Sequence, residues 1–146
     1  MSARRREPRW LSRRLVEAIQ QDQIRQHGGS PGLRDAGLLE SALARPRMRW
    51  EYEPESELAD LAASYAFGLA KNHAFVDGNK RVAFAALFTF LDLNGVELTA
   101  GEPDAVRTML AVASGELDEA GLATWIRGQS RRGKRSGGER PRRSER

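Results

Sequence analysis

Between its two ends this chain repeats apolar side chains at helical spacing almost throughout, and no stretch alternates as a strand does beyond the brief Gly95-Val96-Glu97-Leu98. That pattern predicts an all-α fold, a compact bundle of about six helices. Ser12 is placed to cap a first helix reaching Gln26, with Gly28-Gly29 as its stop. Asp35 caps a short second helix carrying Leu38, Leu39, Ala42 and Leu43, expected to end before Pro46. A third helix is predicted from about Pro54 to Asn72, with Leu58, Leu61, Ala62, Tyr65 and Leu69 on one stripe. The fourth begins near Asn79, presents Phe84, Leu87, Phe88 and Leu91, and stops at Asn94-Gly95. Thr99 and Glu102 read as a capping box for a fifth helix holding Val106, Met109, Leu110 and Ala113. Gly115 breaks that helix, and a sixth brings in Leu122, Trp125 and Ile126.

At 146 residues, the chain suits one domain with a substantial core. It has no cysteine, so disulfides and thiolate metal sites are excluded and a reducing compartment is expected. The opening MSARRREPRW is not followed by the apolar run of a signal peptide, and no segment is long and apolar enough to span a membrane. A cytoplasmic location is the expectation.

The net charge of +4 conceals a division. Residues 1–14 carry six Arg against one Glu, and residues 131–146 carry eight Lys or Arg against two Glu. The body between them is acidic, with ten basic and seventeen acidic residues. A nucleic-acid reading drawn from the whole-chain charge therefore does not apply to the domain. The expected organisation is a basic disordered tail over 1–10, a folded domain over 11–129 and a second basic disordered tail over 130–146. Nucleic-acid contact by the tails is the less favoured alternative to a solvated charge run.

The chemistry concentrates in His73-Ala74-Phe75-Val76-Asp77-Gly78-Asn79-Lys80-Arg81, between two predicted apolar helices. A helix that opens there leaves backbone N–H groups unpaired and favours an anion. Gly78 permits a sharp turn that aims successive amides at a phosphate, and Asn79, Lys80 and Arg81 add donors and positive charge. Asp77 would repel a bare anion, but it fits a site in which Mg²⁺ bridges it to phosphate oxygens. His73, four residues earlier, is the side chain suited to accept a proton near neutral pH. A base, a metal ligand and an anion cradle are the parts needed to move a phosphorus group onto a hydroxyl.

Each piece also has a structural explanation. His73 serves equally as a helix end, Asp77-Gly78-Asn79 as a turn with a cap, and Lys80-Arg81 as a solvated helix start. Positive charge in a first turn opposes the helix dipole, however, and such a local misfit points toward function. Phe75 reads as a core anchor for the loop. Gly28, Gly29, Arg34 and Asp35 either shape a flap beside the site or only stop one helix and cap the next. Trp50 and Tyr52 read as a partner surface or as the edge of the core, and Trp125 as core.

The nine-residue loop closely resembles the Fic/Doc superfamily pattern His-x-Phe-x-Asp/Glu-Gly-Asn-x-Arg, and Lys80 resembles the Doc branch, where most Fic adenylyltransferases have Gly. Residues 27–46, 61–95 and 113–127 also resemble blocks of Doc-like proteins, so the likeness runs from about 11 to 127 in one register. The resemblance implies His73 as general base, Asp77 as Mg²⁺ ligand, and Gly78, Asn79, Lys80 and Arg81 around the phosphates of ATP. It further implies a toxin of a toxin-antitoxin pair that transfers the γ-phosphate of ATP to a Ser or Thr of a translation factor, elongation factor Tu, and so arrests translation. Fic-type AMP transfer is the alternative, and a non-catalytic nucleic-acid or ribosome-binding adaptor is the alternative from another class. No inhibitory Ser/Thr-x-x-x-Glu-Gly/Asn helix is found, so restraint is expected from a Phd-type antitoxin laid as a helix into a groove. Doc-like sequences often have His near the end of the first helix; this chain reads Ile19-Gln20-Gln21-Asp22-Gln23-Ile24 there.

Overall fold

A computed structural model describes residues 6–133 and shows six helices with one two-stranded ribbon. The order is α1 (Arg13–His27), α2 (Ala36–Tyr52), α3 (Leu58–Asn72), α4 (Asn79–Leu93), β1 (Val96–Leu98), α5 (Glu102–Ser114), α6 (Glu119–Gly128) and β2 (Ser130–Arg132). The all-α bundle expected from periodicity is what forms. α3 is the central rod: it packs against α2, α4, α5 and α6. Its Ala59, Ala62, Ala63, Ala66 and Ala70 are buried, and small side chains of this kind let neighbouring helices approach closely. At Gly68 an added Cβ would lie 3.0 Å from Arg45 Cδ and 3.4 Å from the Ala42 main chain, so α2 and α3 are nearly in backbone contact there.

α1 begins as expected, with the Ser12 hydroxyl accepting from Leu15 N–H at 3.1 Å, and it ends at Gly28. α2 begins at its Asp35 cap but does not stop before Pro46. Interior proline removes one helical hydrogen bond and crowds the preceding turn, at a cost of about 3 kcal/mol. Contacts beyond it offset that cost: Arg49 pairs with Glu119 of α6 at 2.9 Å, Arg45 pairs with the same carboxylate, and Trp50 meets Trp10 edge-on at 6.3 Å. α3 opens four residues later than Pro54, where Glu57 and Asp60 form a reciprocal capping box. The capping box expected at Thr99 and Glu102 is absent. Thr99 instead gives its N–H and hydroxyl to the Gln129 carbonyl, and Gly101 precedes α5 without a side-chain cap.

Two apolar stripes are rotated from their expected positions. α4 buries Val82, Ala83, Ala86, Leu87, Phe90 and Leu91, leaving Phe84 half-buried and Phe88 45% exposed. α5 buries Ala105, Thr108, Met109 and Val112, while Val106 and Leu110 are exposed. α6 buries Leu122 and Ile126 as expected; Trp125 is only partly buried and covers the core from outside. Tyr52 is 78% exposed, whereas Trp50 packs on the core edge.

Both ends reach further than the expected tails. Ser130–Arg132, placed by the sequence in the C-terminal tail, pair antiparallel with Val96–Leu98 in the register Val96↔Arg132 and Leu98↔Ser130. Arg131 also meets Glu97 at 3.0 Å. This segment has no apolar side chain to bury; β1 recruits it by main-chain bonding. At the other end Arg9 exchanges hydrogen bonds with the Asn94 side chain, and Trp10 stacks on Phe90 at 6.0 Å. The remainder of the expected tails, 1–5 and 134–146, lies outside the described residues.

Candidate active site

The site lies where α3 gives way to α4. His73 ends α3 in the left-handed conformation, with φ 53° and ψ 49°, and is the sole non-glycine residue of positive φ among the described residues. For a side chain with a Cβ that conformation costs on the order of 1–2 kcal/mol, and strain of this kind gathers at functional positions. It turns the chain so that Ala74 and Phe75 go inward and are buried while the His73 side chain stays exposed. Phe75 thus anchors the loop, as its sequence context predicts.

The flap over 28–35 braces this loop by main-chain pairing. Leu33 and Phe75 form an isolated antiparallel bridge; Arg34 and Asp35 N–H both donate to Ala74 O, and Val76 N–H donates to Gly32 O. Arg34 Nε donates to the His73 carbonyl at 2.8 Å, which ties the flap to the residue carrying the imidazole. Asp77 is exposed, and its Oδ2 accepts from Ser30 N–H at 3.0 Å. Gly29 sits close by with φ 112°. A Cβ there would come within 3.0 Å of Ile24 Cδ1 and 3.3 Å of Asp77 Oδ2, so only glycine fits.

Gly78 precedes α4, also left-handed, and α4 has no side-chain cap and no acidic residue in its first turn. The first intrahelical bond runs from Val82 N–H to Gly78 O at 2.8 Å, so the Asn79, Lys80 and Arg81 amides lack helical acceptors. Asn79 departs from its expected task at the level of the side chain. Its Oδ1 accepts from Phe75 N–H and its Nδ2 donates to Phe75 O, both at 3.0 Å, so the amide clamps the loop and only its main-chain N–H remains for an anion. No ion pair or hydrogen bond engages the side chains of His73, Lys80 or Arg81 among the described residues.

A cavity of about 480 Å³ adjoins the α4 N-terminus. Gly78, Asn79, Lys80 and Arg81 form one wall; Phe84, Met109 and Leu110 are among its apolar lining, and Gln23, His27 and Glu102 add polar groups. His73 and Asp77 are not among its lining residues, so the four phosphate-side candidates are gathered at the cavity while the base and the metal candidate stand along the loop leading to it. Gln23 and His27 carry no distinguishing signal in the sequence, and Glu102 reads there only as half of a capping box. Only the packing of α1, α4 and α5 brings the three together.

Among the described residues no group of three or more acidic, histidine or cysteine side chains stands ready to hold a metal ion. A lone exposed carboxylate suits Mg²⁺ that arrives with a polyphosphate, because such an ion is commonly held by one or two carboxylates plus phosphate oxygens. No helix among the described residues is long and apolar enough to cross a membrane.

Comparison with known proteins places the chain in a family. A family model described as the Fic/DOC family matches residues 10–91. A protein named Toxin Doc from Mycolicibacterium smegmatis is 50% identical over 74 residues, covering 50% of this chain and 57% of that protein. The match thus spans little more than half of that relative's length. A protein named Protein kinase doc from Escherichia phage P1 is 31% identical over 119 residues, covering 82% of this chain and 94% of its own length. The matched span of the family model contains the whole of α1 to the loop and most of α4, and the chain belongs to the Fic/DOC family, on its Doc branch.

Proposed function

We propose that this chain is the toxin of a toxin-antitoxin pair and transfers the γ-phosphate of ATP to a Ser or Thr hydroxyl of a translation factor, with elongation factor Tu as the leading target. The observation that carries this reading is the uncapped start of α4: three main-chain donors and the Lys80 and Arg81 cations on the same loop as an exposed imidazole. The phage relative, named Protein kinase doc, supports the kinase assignment.

In the proposed step the target hydroxyl oxygen attacks the terminal phosphorus and its proton passes to the His73 imidazole. The bond from that phosphorus to the bridging oxygen breaks, and ADP departs with the electron pair. The Gly78, Asn79, Lys80 and Arg81 amides, with the two cationic side chains, bind the phosphate oxygens. Asp77 would hold Mg²⁺, which supplies charge neutralisation on the polyphosphate. The strained His73 backbone, held at its carbonyl by Arg34, fixes the point on the loop from which the base projects.

Lys80 favours phosphate over AMP transfer. A long cation in the first turn occupies space and backbone access that a bound diphosphate would need there. The exposed Val106 and Leu110 beside the cavity supply an apolar surface of the kind a partner helix covers, which supports restraint by a Phd-type antitoxin.

Incubation with Mg²⁺ and γ-labelled ATP is expected to label elongation factor Tu, and the His73→Ala variant is expected to leave it unlabelled. Label arriving only from α-labelled ATP moves the protein to AMP transfer; no label from either nucleotide overturns the enzymatic reading.

A further inference from the structure

One buried side chain joins the two loops that build the site, and the chemistry above does not use it. Gln20, midway along α1, is 1% exposed. Its Nε2 donates to the Asp77 carbonyl at 3.1 Å and to the Ser30 carbonyl at 3.3 Å, while its Oε1 accepts from Gly32 N–H at 3.3 Å. A primary amide offers two donor hydrogens and one carbonyl, so both kinds of capacity are engaged here. Every one of these partners is main chain and none belongs to α1. The side chain is therefore placed as a bracket between loops and not as a support for its own helix.

What the bracket fixes matters more than its presence. In a trans peptide the carbonyl and the following N–H point in opposite directions. Holding Asp77 O on Gln20 thus turns Gly78 N–H away from α1 and defines the peptide plane immediately before the uncapped turn of α4. Ser30 is held at its carbonyl by the same amide, and its N–H is the donor to Asp77 Oδ2. One side chain thereby governs both the Asp77–Gly78 peptide and the contact that orients the Asp77 carboxylate. The opposite edge of the flap is pinned separately by the Leu33–Phe75 bridge; at this edge Gln20 acts beside the Val76 N–H to Gly32 O and Ser30 N–H to Asp77 Oδ2 bonds, and it is the side chain that reaches both loops from α1.

We infer that Gln20 is a positioning residue, presenting Asp77 and Gly78 N–H in the arrangement that a magnesium-bound polyphosphate requires. The inference rests on the nucleotide reading of the site and adds to it a residue that touches neither ATP nor target. An apolar side chain of similar length would fill the same volume but leave three main-chain groups without partners, and each such group would then be free to turn.

The test uses the full chain as wild type, Gln20→Met and Gln20→His, with Mg·ATP affinity measured by calorimetry and amide exchange at Gly32 measured without ligand. Gln20→Met is expected to weaken Mg·ATP binding about tenfold and to speed Gly32 exchange. Gln20→His is expected to fall between, because a neutral imidazole supplies one donor and one acceptor. A residue that merely packs would give the reverse order, since methionine fits an apolar site better than imidazole. Mg·ATP affinity and Gly32 exchange equal to wild type in a folded Gln20→Met overturn the inference; if that variant does not fold, equality in Gln20→His overturns it. A wild type that binds no Mg·ATP overturns the nucleotide reading instead, and the Gly32 exchange rates then still decide whether Gln20 holds the loops.

Discussion

The α3–α4 core and the loop that joins those same two helices are built on opposite principles. Along the core, order comes from apolar contact: Tyr65, Leu69, Leu87, Phe90 and Leu91 are essentially without exposure, and Tyr65 and Phe90 rings meet at 5.0 Å. Along the loop, order comes from hydrogen bonds to main chain. Asn79 clamps Phe75, Gln20 brackets Asp77, and the flap pairs with Ala74 and Val76. The core tolerates no missing volume, whereas the loop stores strain at His73 and leaves polar groups unsatisfied at the start of α4. A site that must bind charge needs vacant donors, and vacant donors are only available where neighbouring structure holds the backbone for them.

The contrast is broken most severely at His73. Its replacement by alanine is expected to lower phosphate transfer by about 10²–10⁴-fold with little change in melting temperature, measured by labelling and by thermal unfolding on one preparation. Equal losses of both would mean that the loop is part of the stability core after all. Phe90→Ala should do the reverse, lowering stability by about 3–5 kcal/mol in denaturant titration while the folded fraction retains its activity. Gly68→Val, which forces a side chain between α2 and α3, is expected to cost about 1–3 kcal/mol by the same measurement. His73→Gly sharpens the comparison, since it relieves left-handed strain at some cost in unfolded-chain entropy; the expected net is a gain of about 0.5–1 kcal/mol with activity abolished.

The smallest effect belongs to Tyr65. Burial raises its pKa above the ordinary 10.0, against the lowering influence of its bond to Leu11 N–H and of Arg47. The folded state then holds the phenolic proton more tightly than the unfolded state does. The resulting stability is complete below pH 10 and is lost as pH rises through the folded value. Alkaline unfolding should begin above that pH, and Tyr65→Phe should remove this component while costing about 1 kcal/mol at neutral pH. An unchanged alkaline limb in the variant would assign the transition to another group.

The legible parts of this protein are those governed by neighbours in sequence. Ser12 and Asp35 cap because a short polar side chain three residues ahead of an amide reaches it where no distant acceptor or donor takes it first. Asn72, His73 and Gly78 were recognisable as a helix end and a restart. The nine-residue loop is conspicuous because all the members of the proposed site lie within one short run, 73–81. Errors appear wherever a distant segment decides. Pro46 reads as a stop, yet Glu119 and Trp10 carry α2 through it. Thr99 reads as a cap but is taken by Gln129. Phe88, Val106 and Leu110 read as core, yet the neighbouring helices bury adjacent faces, with Ala83, Ala86 and Phe90 on α4 and Ala105, Met109 and Val112 on α5.

The sequence by itself therefore determined the helical class and the make-up of the loop to which the proposed proton, metal and phosphate roles are assigned. Tertiary structure alone decided that Asn79 spends its side chain on Phe75, that Gln20 spans from α1 to Asp77, and that His27 and Glu102 face one cavity with Lys80. Periodicity and capping are short-range properties written into a few consecutive residues. Which groups remain vacant depends on partners far along the chain, as Gln20 is from Asp77, 57 residues away.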